Sequence, residues 1–329
     1  MTQTKTRSAA VDIPASMQAI VIDAYGGADR LRLATLPVPP TAANEVLIRV
    51  HAAGVGIWDV LQRGGEFGGP DAHFPLILGA ECSGEIVRLG AAVRRDDLAS
   101  GTAVYTYFFG AQGPYAQYVN VKADAVAPKP TRLSYTEAAG VPVDAVTAYQ
   151  GLIEELGLKA GQTIFIAGAS GGVGTIAVQL ARTIGAAVIA SAGPGNGEYV
   201  RSLGADSVID YTRGDVIENL RGFAAFGVDA AIDCVGGKSA HTTIRAVRDG
   251  GRFVELTGED VGSPRGITVA HVQSEGTLER LTAIGKMFDD GSLRVFIEQT
   301  FPLAEARAAQ ELVANRHVRG KVVLTVADE

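Results

Sequence analysis

The chain has 329 residues, of which 47% are apolar, with a formal charge of −7 and two cysteines. This length exceeds what one hydrophobic core usually serves, so two domains are expected, and the apolar fraction can fill both. The acidic balance and the absence of any Lys/Arg run leave nothing to grip phosphate backbones or anionic lipid, which argues against nucleic acid and membrane partners.

The start, MTQTKTRSAAVDIPAS, is polar and lacks the roughly 7–15-residue apolar stretch of a secretory signal, so residues 1–16 read as a loose tail. No apolar run reaches the ~18 residues that span a bilayer. Cys82 and Cys234 are too few for a disulfide framework and fit buried thiols in a reducing compartment. A cytoplasmic protein is expected.

From Met17 to about Thr131 the sequence runs through short strand-like segments punctuated by Gly and Pro: Ala19 to Ile22, Glu45 to Val50, Gly84 to Arg88, Thr102 to Tyr107 and Ala116 to Val121. Residues 1–132 therefore read as a mostly β domain. From residue 133 to 290 strands alternate with helices, the pattern of βαβ units around a parallel sheet. Thr163 to Ala167 is its first buried strand, and Ile176, Leu180 and Ile184 recur every four residues on the helix that follows. Ala187 to Ala190, Ser207 to Ile209, Val228 to Asp233 and Arg252 to Leu256 continue a doubly wound order. In residues 291–329 a strand Arg294 to Phe301, a helix Leu303 to Ala314 and a strand Lys321 to Val326 break that alternation and return to the first domain. The fold class is α/β.

The segment AGASGGVG, Ala167 to Gly174, lies between a predicted strand and a predicted helix. In that context the spacing Gly168-x-x-Gly171-x-x-Gly174 is a dinucleotide-binding turn. The glycines permit a sharp bend and close approach of a pyrophosphate to backbone N–H groups at a helix N-terminus, and Gly174 lets helix and strand pack closely. Gly168, Ser170, Gly171, Gly172, Val173 and Gly174 are the expected cofactor contacts. NAD-selective sites usually place an Asp or Glu at the end of the second strand. Here Ser191 occupies that place, in VIASAGPGNGE, so nothing repels a 2′-phosphate. Ser191, Asn196, Arg201 and Tyr211 are candidates to bind one, and NADPH is the expected cofactor; Arg201 is equally well explained as a solvated helix residue.

His51, His73, His241, His271 and His317 show no paired spacing with either cysteine, so no metal site is expected. GASGG lacks the Gly-x-Ser-x-Gly spacing of a nucleophile elbow, which makes Ser170 a phosphate donor in the turn.

The order of a β-rich first domain, AGASGGVG and a closing RGKVVLTV resembles the medium-chain dehydrogenase/reductase superfamily, specifically its zinc-independent quinone oxidoreductase (zeta-crystallin-like) branch. The likeness runs from Met17 through AAGVGIWDVLQRGG, LGAECSGEIVRLG, PVDAVTAYQGL, LGADSVIDY and DCVGG. It implies a GroES-like β-rich catalytic domain completed by the C-terminus, a Rossmann domain between, and a cleft where they meet. Zinc-dependent relatives carry cysteine where this chain has Gly56, and histidine where it has Ala80 beside Glu81. The resemblance also places Thr147 near the nicotinamide, Tyr211 near the adenosine phosphate, and Cys234, Val235, Gly236, Thr257 and Gly258 along the cofactor. It suggests a homodimer formed through the Rossmann domain. Quinone reductases of the branch usually have Asn at the Gly56 position and often a lysine where this chain has PGNGE.

The activity implied is hydride transfer from NADPH to a quinone or to the β-carbon of an enone, followed by protonation from water or a tyrosine. Tyr107, Tyr115 and Tyr149 are candidate donors, although such a tyrosine is more often a packed ring with a bonded hydroxyl. Asp59 either orients the site loop or caps it. Trp58 and Phe108 are candidate walls of an apolar pocket for a flat small-molecule substrate. The alternatives are a specialised enoyl reductase of secondary metabolism, an NADPH-binding protein without turnover, and an alcohol dehydrogenase, the last weakened because nothing obvious would polarise a simple ketone.

Overall fold

The computed structural model describes residues 12–67, 73–110 and 112–327, so the expected tail lies outside the described residues as far as Val11. Strands β1 (Ser16–Ile22), β2 (Arg32–Pro37), β3 (Glu45–Val55), β4 (Leu76–Ile77), β5 (Glu81–Leu89), β6 (Ala103–Tyr107), β7 (Tyr118–Lys122) and β8 (Val126–Pro128) build the first unit, with one helix, α1 (Ile57–Gly64), after β3. β3 is its centre, because EVLIRVHAAGV is buried along almost its whole length and pairs with β5, β7 and a C-terminal strand. β1 lies between β2 and β4 in a small antiparallel sheet. The sequence reading passed over α1, an eight-residue helix whose apolar period, Ile57, Val60 and Leu61, is only two turns long and whose buried residues, Asp59 and Arg63, are both charged.

The chain then crosses through α2 (Tyr135–Ala139) and α3 (Pro142–Tyr149). Ser134 and Glu137 form a reciprocal N-terminal cap on α2, and Pro142 opens α3 where its missing N–H costs nothing. The second sheet follows: β9 (Thr163–Ala167), α4 (Gly172–Ile184), β10 (Ala187–Ala192), α5 (Gly197–Ser202), β11 (Ser207–Asp210), α6 (Val216–Arg221), β12 (Val228–Asp233), α7 (Lys238–Ala246), β13 (Val247–Glu255) and β14 (Thr268–His271). All pairs are parallel, in the order β11-β10-β9-β12-β13-β14. Alternation along β9 sends Ile164 and Ile166 into one core and Phe165 and Ala167 into another, so both faces of the sheet are covered. The order reverses direction between β9 and β12, which opens a crevice beyond their carboxyl ends.

After α8 (Leu278–Asp289) come β15 (Ile297–Pro302), α9 (Ala306–Ala314) and β16 (Lys321–Thr325). β16 runs antiparallel to β3, with Val322 opposite Val55, and β15 lies parallel to β16. The helix expected from Leu303 begins at Ala306, after a single 3₁₀ turn. Among the described residues no helix is long and apolar enough to cross a membrane.

Candidate active site

The glycine turn joins β9 to α4. Gly168 has φ +75°, a conformation that disfavours a side chain, and a Cβ there would lie 2.7 Å from Val235. A Cβ at Gly174 would lie 2.2 Å from the Gly168 carbonyl oxygen, so the helix rests directly on the turn. Gly171 caps α4 with no side-chain hydrogen bond, which leaves the first-turn N–H groups around Gly172 and Val173 for an anion.

Beside it, the turns after β12 and β13 are each organised by a buried strand-end carboxylate that the sequence reading missed. Asp233 accepts from the N–H of Val235 (2.9 Å) and Gly236 (2.6 Å) and from the hydroxyls of Ser239 (2.6 Å) and Thr243 (2.7 Å). Glu255 accepts from the N–H and hydroxyl of Thr257 and from the N–H of Gly258 (2.6 Å) and Glu259 (2.9 Å). These bonds fix Cys234–Gly236 and Thr257–Gly258 along the crevice. The signal was an acid ending an apolar strand just before a glycine-containing turn. Cys234 is half-buried there rather than fully buried, and its thiol is pushed well up by burial and then by Asp233.

Ser191 is buried at the end of β10, and its carbonyl accepts from the Ala169 N–H at 3.0 Å. Beyond it, Asn196 accepts from Arg319, and a Cβ on Gly193 would lie 3.1 Å from the Tyr211 hydroxyl. Thr147, buried in α3, has its hydroxyl within hydrogen-bond distance of the Val143 carbonyl (2.7 Å) and the Ser274 hydroxyl (2.8 Å).

The proposed donors separate clearly. Tyr107 is buried, gives its hydroxyl proton to the Ser274 carbonyl at 3.0 Å and is pushed up to about 12 by burial, so it is a packed ring and not an available acid. Tyr115 is fully buried beside Asp59, and its hydroxyl too is pushed up by burial and that carboxylate. Asp59 accepts from the Gly56 N–H at 2.7 Å and thus caps α1; burial raises it to about 6 against that bond and the charge of Lys321. Tyr149 lines a groove that also reaches Tyr107, Phe109 and Arg280, and its hydroxyl makes no hydrogen bond among the described residues.

The aromatic wall is wider than expected. Trp58 packs against Phe67 with tilted rings at 4.4 Å and meets Phe109 edge-on at 6.1 Å, while Phe109 meets Tyr107 at 5.5 Å. Phe108 lines the same groove as Phe109 and Tyr149 while its inner side packs against the β-domain core. Phe67 and Phe109 are more than half exposed.

Behind this wall lies a charged group that no local spacing announced. The Lys321 ammonium sits 2.5 Å from Glu81 and 3.1 Å from Asp144, and all three residues are buried. Burial opposes the ammonium, but Asp144 and Glu81 more than offset it and hold Lys321 above its ordinary value. Burial raises Glu81 to about 7, opposed by Lys321. A Cβ on Gly172 would lie 2.1 Å from Asp144, so this cluster lies directly under the glycine turn. A Cβ on Gly56 would lie 3.5 Å from the Lys321 ammonium. Gly56 and Ala80 offer no donor atom, and Glu81 is already held by a cation. The residues present therefore do not fit a zinc ion, and among the described residues no group of three His, Cys, Asp or Glu could hold a metal.

The family described as alcohol dehydrogenase GroES-like domain matches residues 42–131, and the zinc-binding dehydrogenase family matches residues 203–324. An NADPH-dependent alkenal/one oxidoreductase, chloroplastic, of Arabidopsis thaliana is 32% identical over 96% of this chain and 81% of its own. The chain belongs to the medium-chain dehydrogenase/reductase superfamily. The solved quinone oxidoreductase from Coxiella burnetii superposes with a TM-score of 0.86 at 31% identity, over 95% of this chain and 100% of that one. The Escherichia coli quinone oxidoreductase complexed with NADPH gives 0.86 at 25% identity, over 94% and 100%. Quinone and alkenal oxidoreductases are thus among the proteins this chain is similar to, and the chain is an oxidoreductase built around a nicotinamide dinucleotide.

Proposed function

We propose that this protein is an NADPH-dependent, zinc-independent reductase of quinones or α,β-unsaturated carbonyl compounds. The observation that carries the reading is the pairing of an exposed aromatic wall with a neighbouring cation already neutralised by two carboxylates. Such a site can hold a flat conjugated acceptor, but it has no free electrophile for a simple ketone. The missing carboxylate after β10 supports NADPH over NADH.

When bound, the nicotinamide supplies the hydride. The glycine turn holds the pyrophosphate, Thr147 and Ser274 border the nicotinamide end, and Trp58, Phe67 and Phe109 orient the acceptor. Tyr149, which opens on the groove, or water entering there returns the proton. A homodimer joined through the nucleotide domain belongs to the same reading; β14 has no outer neighbour among the described residues, which leaves an edge for pairing.

The test is to purify the protein with a chelator and follow NADPH and NADH consumption with 1,4-benzoquinone, an alkyl enone and a simple ketone. NADPH consumption with quinone or enone, insensitive to chelation, is expected. Activity confined to the ketone and abolished by chelation would overturn the proposal. Cofactor binding without turnover of any acceptor would instead favour a binding protein.

A further inference from the structure

Several arginines on this molecule are paired with acids, as Arg32 is with Asp23 and Arg280 with Glu154. Arg319 is not: among the described residues it forms no ion pair with a carboxylate. It is nevertheless half-buried and held in one orientation. Nε donates to the Asn196 side-chain oxygen at 2.5 Å and Nη2 donates to the Gly195 carbonyl at 3.0 Å. Its guanidinium lies over the ring of Tyr199 at 5.8 Å, and the Tyr199 hydroxyl is tied to Thr175 in the first turn of α4 at 3.0 Å. All these partners are neutral, so they fix the cation without neutralising it, in a chain whose net charge is −7. A positioned, uncompensated guanidinium is the usual means of recognising a phosphate.

Its location says which phosphate. Arg319 belongs to the segment between α9 and β16, which is stitched to the glycine turn: the Gly320 N–H donates to the Ser170 carbonyl at 2.9 Å, and Gly171 and Gly320 form a parallel bridge. From there it reaches across to the loop after β10, where the adenosine ribose of a dinucleotide lies in a sheet of this topology. The same loop is approached by Arg201, whose Nη1 would lie 3.3 Å from a Cβ on Gly197, and by the Tyr211 hydroxyl at Gly193. Arg201, too, has no carboxylate ion pair among the described residues.

We propose that Arg319, seconded by Arg201, binds the 2′-phosphate of NADPH. Cofactor choice is then set by a residue delivered from the C-terminal return, more than a hundred positions away from the strand that conventionally decides it. The inference rests on the NADPH reading above. It adds that the 2′-phosphate ties the C-terminal segment to the nucleotide domain.

The experiment is calorimetric titration of the full chain with NADPH, NADH and adenosine 2′,5′-bisphosphate, on the wild type and on Arg319→Ala, Arg319→Lys and Arg201→Ala. Loss of one positioned charged hydrogen-bonding group predicts that Arg319→Ala weakens NADPH and the bisphosphate by roughly 10–100-fold. NADH affinity should change less than about threefold, Arg319→Lys should fall between, and Arg201→Ala should give the smaller loss. Equal weakening of NADPH and NADH by Arg319→Ala would overturn the proposal, as would unchanged NADPH affinity. If the alanine variant does not fold, Arg319→Gln, which can still donate to Asn196 and Gly195 but has no charge, gives the same two-way answer. A wild type that binds NADPH no more tightly than NADH would defeat the NADPH reading itself, before any variant is measured.

Discussion

The glycine turn and the Lys321 cluster lie against each other, yet they handle polar groups in opposite ways. At the turn, Gly168, Gly171 and Gly174 remove side chains so that α4 begins with N–H groups that have no partner among the described residues. In the cluster, Lys321 is enclosed by Glu81 and Asp144, and Glu81 also accepts the Val143 N–H at 2.7 Å, so the charges are spent on one another. The first is a site because its electrostatics are left open. The second joins β5, α3 and β16 beneath the crevice.

Breaking the closed cluster should have the largest effect. Lys321→Met leaves two buried carboxylates without their cation, a loss of about 3–5 kcal/mol. Chemical denaturation should show a drop of that size; a variant as stable as wild type would mean that the cluster does not tie β5, α3 and β16 together. Next comes the open region. Gly174→Ala places a methyl 2.2 Å from a carbonyl oxygen, which must push α4 off the turn. NADPH affinity should fall by about 100-fold, with overpacking costing about 1–3 kcal/mol; unchanged affinity by titration would show that the turn does not carry the cofactor.

The tyrosines sharpen the comparison, because Tyr107 is spent on Ser274 whereas Tyr149 is open to the groove. Tyr149→Phe should lower turnover about 100-fold, at the low end for a general acid, while Tyr107→Phe should change it less than about threefold. The reverse order in steady-state rates would reassign the donor.

The smallest effect concerns Asp59. Its folded value of about 6 lies above the ordinary 3.8, so the native state holds this proton more tightly than the unfolded chain. Its contribution is fully present below about pH 4 and is lost as pH rises through about 6. Asp59→Asn removes that dependence, so its melting temperature relative to wild type should improve steadily from pH 4 to 7. A constant difference across that range would show that Asp59 titrates as an ordinary carboxylate.

The open region was the legible one. Strand β9, the three glycines and the Ser191 position are neighbours in sequence, so period and spacing exposed them. The closed cluster was not legible, since Lys321 and Glu81 belong to strands from opposite ends of the chain and meet only once β16 has paired with β3. Arg319 is hidden for the same reason, reaching Asn196 across the crossover. Phe109 was missed for a similar reason: the rings that join it to the wall, Trp58 and Tyr107, come from separate elements.

The most direct test of metal-free hydride transfer is to reduce an alkyl enone with NADPH deuterated at the transferable position, with chelator present, and to locate the label by mass spectrometry. One deuterium at the β-carbon, in unchanged yield after chelation, is the predicted result. An unlabelled product, or a reaction that chelation stops, would contradict it.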